Sequence, residues 1–453
     1  MWTAVSRKTY QEAVEKAHNS VQSVLDDVYT ECHILLFPSE AEKGSWKPEI
    51  KFQCGGESNG LQDELCHTVN LCLLVIDENA WNWRLTNSPP SHANHSMSSL
   101  NSYLPSNASS SSNTAILMLV DGLGYLQQDD NFRAMMNKAS YSHLSNRPMF
   151  LWIGNLNQEE LNRREDEAVF EAFGAPCLPG IDWNTMHYYK PIAFLALFHK
   201  QRLVPRIDSV FFLDADTALT EHAFERIQSL RPEDYLELSP QASLMGTQNN
   251  IGQVVLNSGI MLMRNTTWSY DLNALWWFTR CGKKDQRAIW LCLFATFSAW
   301  TAPPDGKYDA GTGEIENSPQ FMYPGQIFFH YDVTILKALM HFRKHIFQIQ
   351  KSWNYFATKN VYKGWFPLPT NTSVFTGGDL SHRRKATVPL ELPHFMLLPL
   401  TAYVHHRKDG TSVELPGIKV DVRDLKNGKS FVVHSKDNAD ACSHGRCWPY
   451  LVV

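Results

Sequence analysis

The stretch Ser209-Val210-Phe211-Phe212-Leu213-Asp214-Ala215-Asp216-Thr217-Ala218-Leu219 constrains the fold more than any other part of the chain. Val210 to Leu213 are consecutive apolar residues without alternation, which predicts a strand buried on both faces. The strand runs directly into two carboxylates, so it ends at the kind of crevice where open α/β sheets place their ligands. With strand geometry continued, Asp214 and Asp216 point to one side and small Ala215 to the packed side. Two carboxylates converging on one volume repel unless a cation lies between them. A hard divalent ion takes oxygen ligands and is commonly shared with substrate phosphates. The plainer alternative is an Asp-x-Asp that merely opens a solvated loop.

The chain has 453 residues, enough for a large core and for two or three domains. With 43% apolar and 19% charged residues its composition is globular, and a net charge of −5 gives no electrostatic reason to expect nucleic acid or an anionic membrane as partner. Fourteen Trp and sixteen Tyr suit ring-faced sugar subsites and core filling equally, so composition does not choose between them. Nine cysteines do not make a disulfide scaffold, although Cys442 with Cys447 and Cys281 with Cys292 are candidate loops and the odd count leaves one thiol over. Sequons at Asn94, Asn107, Asn265 and Asn371 lean towards a secretory-pathway lumen such as the Golgi. No run approaches the ~20 apolar residues that span a bilayer. Met1 to Tyr10 lacks the apolar segment of a signal peptide, so a luminal protein would take its targeting segment from elsewhere.

Taken in order, Tyr10, Ala13, Val14, Ala17, Val21, Val24, Leu25 and Val28 recur at helical spacing and predict an amphipathic helix. His33 to Phe37 and Leu71 to Ile76 read as strands. Thr86 to Thr114 is dense in Ser, Asn and Pro and reads as a linker or loop. The division expected is an N-terminal region of unassigned role over 1–85, the linker over 86–113, a main domain over 114–400 and a tail over 401–453. Ala115 to Val120 is a strand that stops at Asp121-Gly122, with Tyr125 close behind. A helix over Phe132 to His143, a strand over Pro148 to Ile153 and a helix over Met186 to Lys200 follow, with Asn157 and Gly174 placed to bound a helix between them. This alternation predicts an α/β fold with a mostly parallel sheet. Lys190 lies in the first turn of the helix that delivers the chain to the Asp-x-Asp strand. Gly252 to Arg264 is a second apolar strand interrupted by Asn257-Ser258-Gly259, and a polar triplet there predicts a bulge facing the crevice. Leu272 to Arg280 is a Trp-rich helix, and Lys283-Lys284-Asp285-Gln286 opens another. Residues 300–326 read as a loop and 328–349 as a basic helix. Gly377 to Lys385 holds His382 among cations, suited to a metal ligand beside a phosphate or to simple solvation.

In that order the pieces resemble the GT-A fold glycosyltransferases, most closely the retaining kind. The likeness is carried by Val120-Asp121, Lys190, Leu213 to Thr217, Asn257-Ser258-Gly259 with Arg264-Asn265, Lys284-Asp285-Gln286, and a late Gly-Asp followed by His382. The spacing is similar to the fungal α-mannosyl- and α-galactosyltransferases and plant xyloglucan xylosyltransferases, and more distantly to glycogenin-like enzymes. It covers roughly residues 114–400 as a GT-A core, preceded by an extra N-terminal α/β region. The resemblance implies Asp214, Asp216 and His382 as ligands of Mn²⁺ or Mg²⁺. It places Asp121 and Tyr125 at the base of a UDP- or GDP-linked sugar, and Asp214 at its ribose. Lys190 and Lys385 go to its phosphates, Asn257, Ser258 and Gly259 along the sugar, and Asp285 with Gln286 at the reacting face. In the likened families the late His is followed by Gly and Lys, whereas Arg383-Arg384-Lys385 follow here, which leaves His394 as an alternative ligand. The activity implied is transfer of a hexose or pentose to a glycan or glycoprotein acceptor. Two alternatives stand: a haloacid-dehalogenase-like phosphatase with Asp214 as nucleophile, and a non-catalytic sugar-nucleotide or glycan binder on the same fold.

Overall fold

A computed structural model of the chain describes residues 7–37, 49–54, 69–76, 113–126, 128–156, 186–199, 207–248, 256–279, 285, 288–289, 292–293, 390–392, 394–398, 403–406, 409–415, 417–421 and 430–434. Gln286, His382, Lys385, Asn157, Gly174, the segments 300–326 and 328–349, and Cys281, Cys442 and Cys447 lie outside these residues.

The strands in chain order are β1 (Tyr29–Phe37), β2 (Glu49–Cys54), β3 (Val69–Ile76), β4 (Thr114–Val120), β5 (Met149–Gly154), β6 (Ser209–Leu213), β7 (Thr217–Leu219), β8 (Leu244–Gln248) and β9 (Leu256–Arg264). After them come β10 (Leu390–Leu392), β11 (Phe395–Leu398), β12 (Tyr403–His406), β13 (Ser412–Leu415), β14 (Gly417–Asp421) and β15 (Ser430–His434). One ten-stranded sheet has the order β10-β11-β8-β9-β6-β4-β5-β3-β1-β2. Strands β2, β5, β6, β8 and β11 run with β4, and β1, β3, β9 and β10 run against it, so six of the ten strands share one direction and the central run β6-β4-β5 is parallel, while five of the nine pairings, on either side of that run, are antiparallel. A second, three-stranded sheet has the order β14-β15-β7, and β12 pairs with β13.

Helices cover both faces, as the unbroken apolar strands require. Along β4, Ala115, Leu117 and Leu119 join one core while Ile116, Met118 and Val120 join the other. The same division separates Val210 and Phe212 from Phe211 and Leu213 on β6, and Met261 and Met263 from Ile260 and Leu262 on β9. The first core is closed by α1 (Arg7–Asp26), α4 (Tyr189–His199) and α7 (Thr267–Phe278), with Trp276 and Trp277 fully buried. The predicted stripe on α1 is the buried one, from Tyr10 to Leu25, with Val28 just beyond the helix. The second core is closed by α3 (Asp129–Leu144), with the short helices α2 (Leu123–Leu126), α5 (Glu221–Glu225) and α6 (Pro232–Glu237) around it.

Strands on both sides of segment 86–113 share the sheet: β3 pairs with β5, and β1 with β3. A disulfide joins Cys32 on β1 to Cys72 on β3, which are register partners. Neither cysteine belonged to the expected loops. Cys292, a member of one expected pair, is buried with its Sγ 3.2 Å from Thr279 Oγ1. From β4 the chain passes by α3 to β5 on one side, and later by α4 to β6 on the other. The strand order therefore reverses between β4 and β6, and a reversal of this kind opens a crevice beyond the carboxyl ends of the two strands.

Candidate functional site

Asp214 follows β6 directly and its N–H still donates to Gly259 O at 2.8 Å, continuing the ladder with β9. There the chain turns. Thr217 closes the turn by donating to Asp214 O twice, from its N–H at 3.1 Å and from Oγ1 at 2.6 Å. Ala215 packs against the second core as alternation predicts, which sends Asp216 back to the crevice side. Thr217 then opens β7, which pairs antiparallel with β15 so that Thr217 lies opposite His434.

That pairing supplies a residue that sequence reasoning missed. His434 Nε2 is 3.0 Å from Asp216 Oδ2, and one potential ligand atom each from Asp214, Asp216 and His434 all lie within 4.8 Å of one another. Among the described residues this is the one such group of three. The other oxygen of Asp216, Oδ1, is buried without a hydrogen-bond partner among the described residues. An ionised oxygen left so is costly, and a cation at that point would satisfy it. His394, the alternative ligand, lies elsewhere: its ring stacks on Trp268 at 5.3 Å, and its carbonyl accepts the N–H groups of Ser243 and Leu244. The only sequence signal for His434 was Phe431-Val432-Val433-His434, an apolar strand ending in a ligand-type residue as β6 ends in Asp214.

Behind the two aspartates lies a buried ionic cluster. Lys190 Nζ, on a side chain 3% exposed, is 3.2 Å from Asp214 Oδ1 and 3.0 Å from Asp285 Oδ2. It also donates at 3.3 Å to both the carbonyl and the Oγ of Ser258. Ser258 Oγ donates in turn to Asp285 Oδ2 at 2.5 Å, and Trp276 Nε1 donates to Asp285 O at 2.9 Å. Burial opposes charge on Lys190, but Asp214 and Asp285 outweigh it and raise its pKa. Burial also opposes charge on Asp285, yet Lys190, His187 and the Ser258 hydroxyl hold its carboxyl below the ordinary range. Asp216 is likewise held low against burial, mainly by the hydrogen bond from His434. At Asp214 burial prevails over Lys190 and the carboxyl is raised. A divalent cation would relieve that penalty by favouring the ionised form.

The polar triplet on β9 forms the far wall. The β8–β9 register shifts between Gly246 and Thr247, which is the predicted bulge. Gly259 N donates to Asn257 Oδ1 at 3.0 Å. A Cβ on Gly259 would come 2.5 Å from Asp214 Oδ2 and 2.9 Å from Asn257 Oδ1, so the carboxylate sits where only glycine leaves room. On the neighbouring strand end, Asp121 O accepts from Asn155 Nδ2 at 3.0 Å, and Asn155 Oδ1 accepts from Tyr189 OH at 3.2 Å. Burial pushes the Tyr189 phenol up to about 12. Tyr125 closes the loop after β4 with its N–H on Gly122 O at 3.1 Å. The structure thus joins Lys190, Asp214, Asn257, Ser258, Gly259 and Asp285 in one contiguous network. Asp121 and Tyr125 stand at the adjoining strand end.

No family model matches this chain, and no curated protein does. Among solved structures, one match is a glycosyltransferase involved in the glycosylation of the major capsid of PBCV-1. It is 10% identical, with the alignment covering 39% of this chain and 73% of that one at a TM-score of 0.27. A likeness that slight adds nothing to the topology and geometry described above.

Proposed function

We propose that the chain is a metal-dependent glycosyltransferase of the retaining kind, moving a hexose or pentose from a nucleotide-diphosphate sugar to a glycan or glycoprotein. The observation that carries this reading is the convergence of Asp214, Asp216 and His434 at the strand-order reversal, with Asp216 Oδ1 buried and unpartnered among the described residues. Two carboxylates suit Mn²⁺ or Mg²⁺, and the imidazole beside them favours Mn²⁺ of the two. When bound, such an ion supplies Lewis-acid stabilisation of the charge that develops on a departing diphosphate.

The remaining roles are assigned as part of the same proposal. Asp121 and Tyr125, beyond β4, border the nucleoside. Asn257, Ser258 and Gly259 form the wall along the sugar. Lys190 holds Asp214 and Asp285 in fixed relation, so its first task is to orient carboxylates, and a phosphate contact would come second. Asp285, kept anionic by Lys190 and Ser258, presents negative charge towards a sugar that becomes cationic in the transition state. Gln286 would act beside it, and Lys385 would add a cation at the phosphates. A buried disulfide between neighbouring strands supports an oxidising compartment, consistent with a Golgi or other luminal location. The Asn265 sequon adds nothing to that, because its side-chain amide already donates to Ile207 O at 3.1 Å.

The test is a panel of UDP- and GDP-sugars, with and without Mn²⁺, read by thermal shift and by slow donor hydrolysis. The expected result is one donor that raises the melting temperature only with Mn²⁺ and is slowly hydrolysed. Phosphate release from a simple monoester would favour a phosphatase instead. Glycan or nucleotide-sugar binding with no turnover would favour a binding protein.

A further inference from the structure

The short strand β7 lies at the edge of its three-stranded sheet, yet it is fully buried. A buried edge strand needs partners for the peptide groups that point away from the sheet. On β7 these come from side chains of one helix. Asn137 on α3 accepts the Leu219 N–H on Oδ1 at 2.7 Å and donates Nδ2 to Leu219 O at 3.0 Å, so its amide stands in for the peptide group of a missing strand. Lys138, the next residue, donates Nζ to Thr217 O and, at 3.2 Å, to Ala134 O one turn back on its own helix. Asn137 is 2% exposed and Lys138 is fully buried.

Filling space does not explain this pair, since Leu and Met would pack there without the cost of burying an ammonium. Thr217 does explain it. Its carbonyl is held by Lys138, its N–H and hydroxyl both bind Asp214 O, its ladder partner is His434, and it directly follows Asp216. Fixing Thr217 therefore fixes all three members of the candidate metal group at once.

We infer that Asn137 and Lys138 are positioning residues for the metal centre, clamping β7 from the side opposite β15 so that Asp214, Asp216 and His434 stay within coordinating distance of one ion. The inference rests on the metal reading of those three residues. Asn137 and Lys138 reach the group through the β7 backbone, and the Lys138 charge also helps hold the Asp216 carboxyl low.

The experiment measures Mn²⁺ binding to the full chain by electron paramagnetic resonance, in the wild type and in Lys138→Met, Asn137→Leu and Asp216→Asn. The wild type is expected to bind and Asp216→Asn to lose binding. Lys138→Met and Asn137→Leu should each weaken Mn²⁺ about tenfold or more while still melting cooperatively. The sign for Lys138→Met is diagnostic, because deleting a nearby positive charge would by itself tighten cation binding. Weaker binding then reports lost geometry. Unchanged or tighter Mn²⁺ binding in the folded variants would overturn the clamp while leaving the metal site standing. Absence of binding by the wild type would overturn the metal reading and the clamp together. Should Lys138→Met fail to fold, Asn137→Leu decides, since it alters no charge; failure of both to fold would show a purely structural pair and overturn the inference.

Discussion

Lys190 is the residue on which the site's electrostatics turn, because one buried ammonium offsets the buried Asp285 carboxylate and the partly buried Asp214. Removing one partner of a buried ionic group leaves the others uncompensated, at a cost of about 3–5 kcal/mol. Lys190→Met should therefore lower unfolding free energy by that order in a urea titration, and adding Asp285→Asn to it should recover part of the loss. A double variant as unstable as the sum of its single ones would show that Lys190 and Asp285 do not interact. The pH dependence has a defined sign. Asp285 and Asp216 have folded-state pKa values depressed below the ordinary carboxylate range. Their contribution is thus present above about pH 4 and lost as pH falls through the lower native values. Stability measured in urea should decline below that pH, and Asp285→Asn should flatten part of the decline. Gly259→Ala makes a separate point: its Cβ would displace the Asp214 carboxylate, so Mn²⁺ binding should weaken, and because Asp214 also meets Lys190 the melting temperature should fall as well, by less than in Lys190→Met. Unaltered Mn²⁺ affinity in that variant would mean Asp214 is not a ligand.

Elements with long apolar runs were legible from sequence, because burial on both faces writes itself into consecutive residues. Strands β4, β6 and β9, with helices α1 and α4, lie close to where the sequence pattern placed them, α7 opens at Thr267 ahead of the expected Leu272, and the polar interruption of β9 is the bulge it predicted. Strand β7 has three residues and β15 five, too short to show a period, and they pair across more than two hundred positions. For that reason the sequence does not point to His434, whereas it does single out Asp214, Asp216, Lys190 and Asp285, which the fold brings close together. The clamp from α3 was invisible for the same reason, since Asn137 and Lys138 look like ordinary residues of an amphipathic helix. The disulfide is another non-local feature: Cys32 and Cys72 are 40 positions apart and meet only because β1 and β3 are parallel neighbours. A cross-link closing a loop of that length contributes up to about 4 kcal/mol in the chain-entropy account. Cys32→Ala with Cys72→Ala should lower the urea-derived stability by an amount of that order; no change would place the β1–β3 pairing among interactions already secured by packing.

At the scale of the whole molecule, the described elements before residue 86 are bound to the main sheet and its core by geometry that truncation would undo. Helix α1 lays Tyr10, Ala13, Ala17, Val21, Val24 and Leu25 on the same core as α4 and α7, and His18 Nε2 on α1 meets Asp271 Oδ1 on α7 at 3.0 Å. Burying each of the larger side chains in this set is worth roughly 1.5–3 kcal/mol, so together they rival the ~5–15 kcal/mol by which a typical protein is stable. Strand β3 covers the flank of β5, whose Phe150 and Trp152 face one core and Leu151 and Ile153 the other. Without β3, β5 becomes an open edge that is apolar on both faces, an invitation to aggregation. A fragment spanning 114–453 should accordingly be insoluble on expression, or recovered only as a compact state that binds a hydrophobic dye and lacks near-ultraviolet circular dichroism. The full chain under the same conditions should melt cooperatively. A soluble 114–453 fragment that melts cooperatively and binds Mn²⁺ as tightly as the full chain would show that the N-terminal strands and helix are an addition to a self-sufficient core, and that the metal group needs only what β6, β7 and β15 provide.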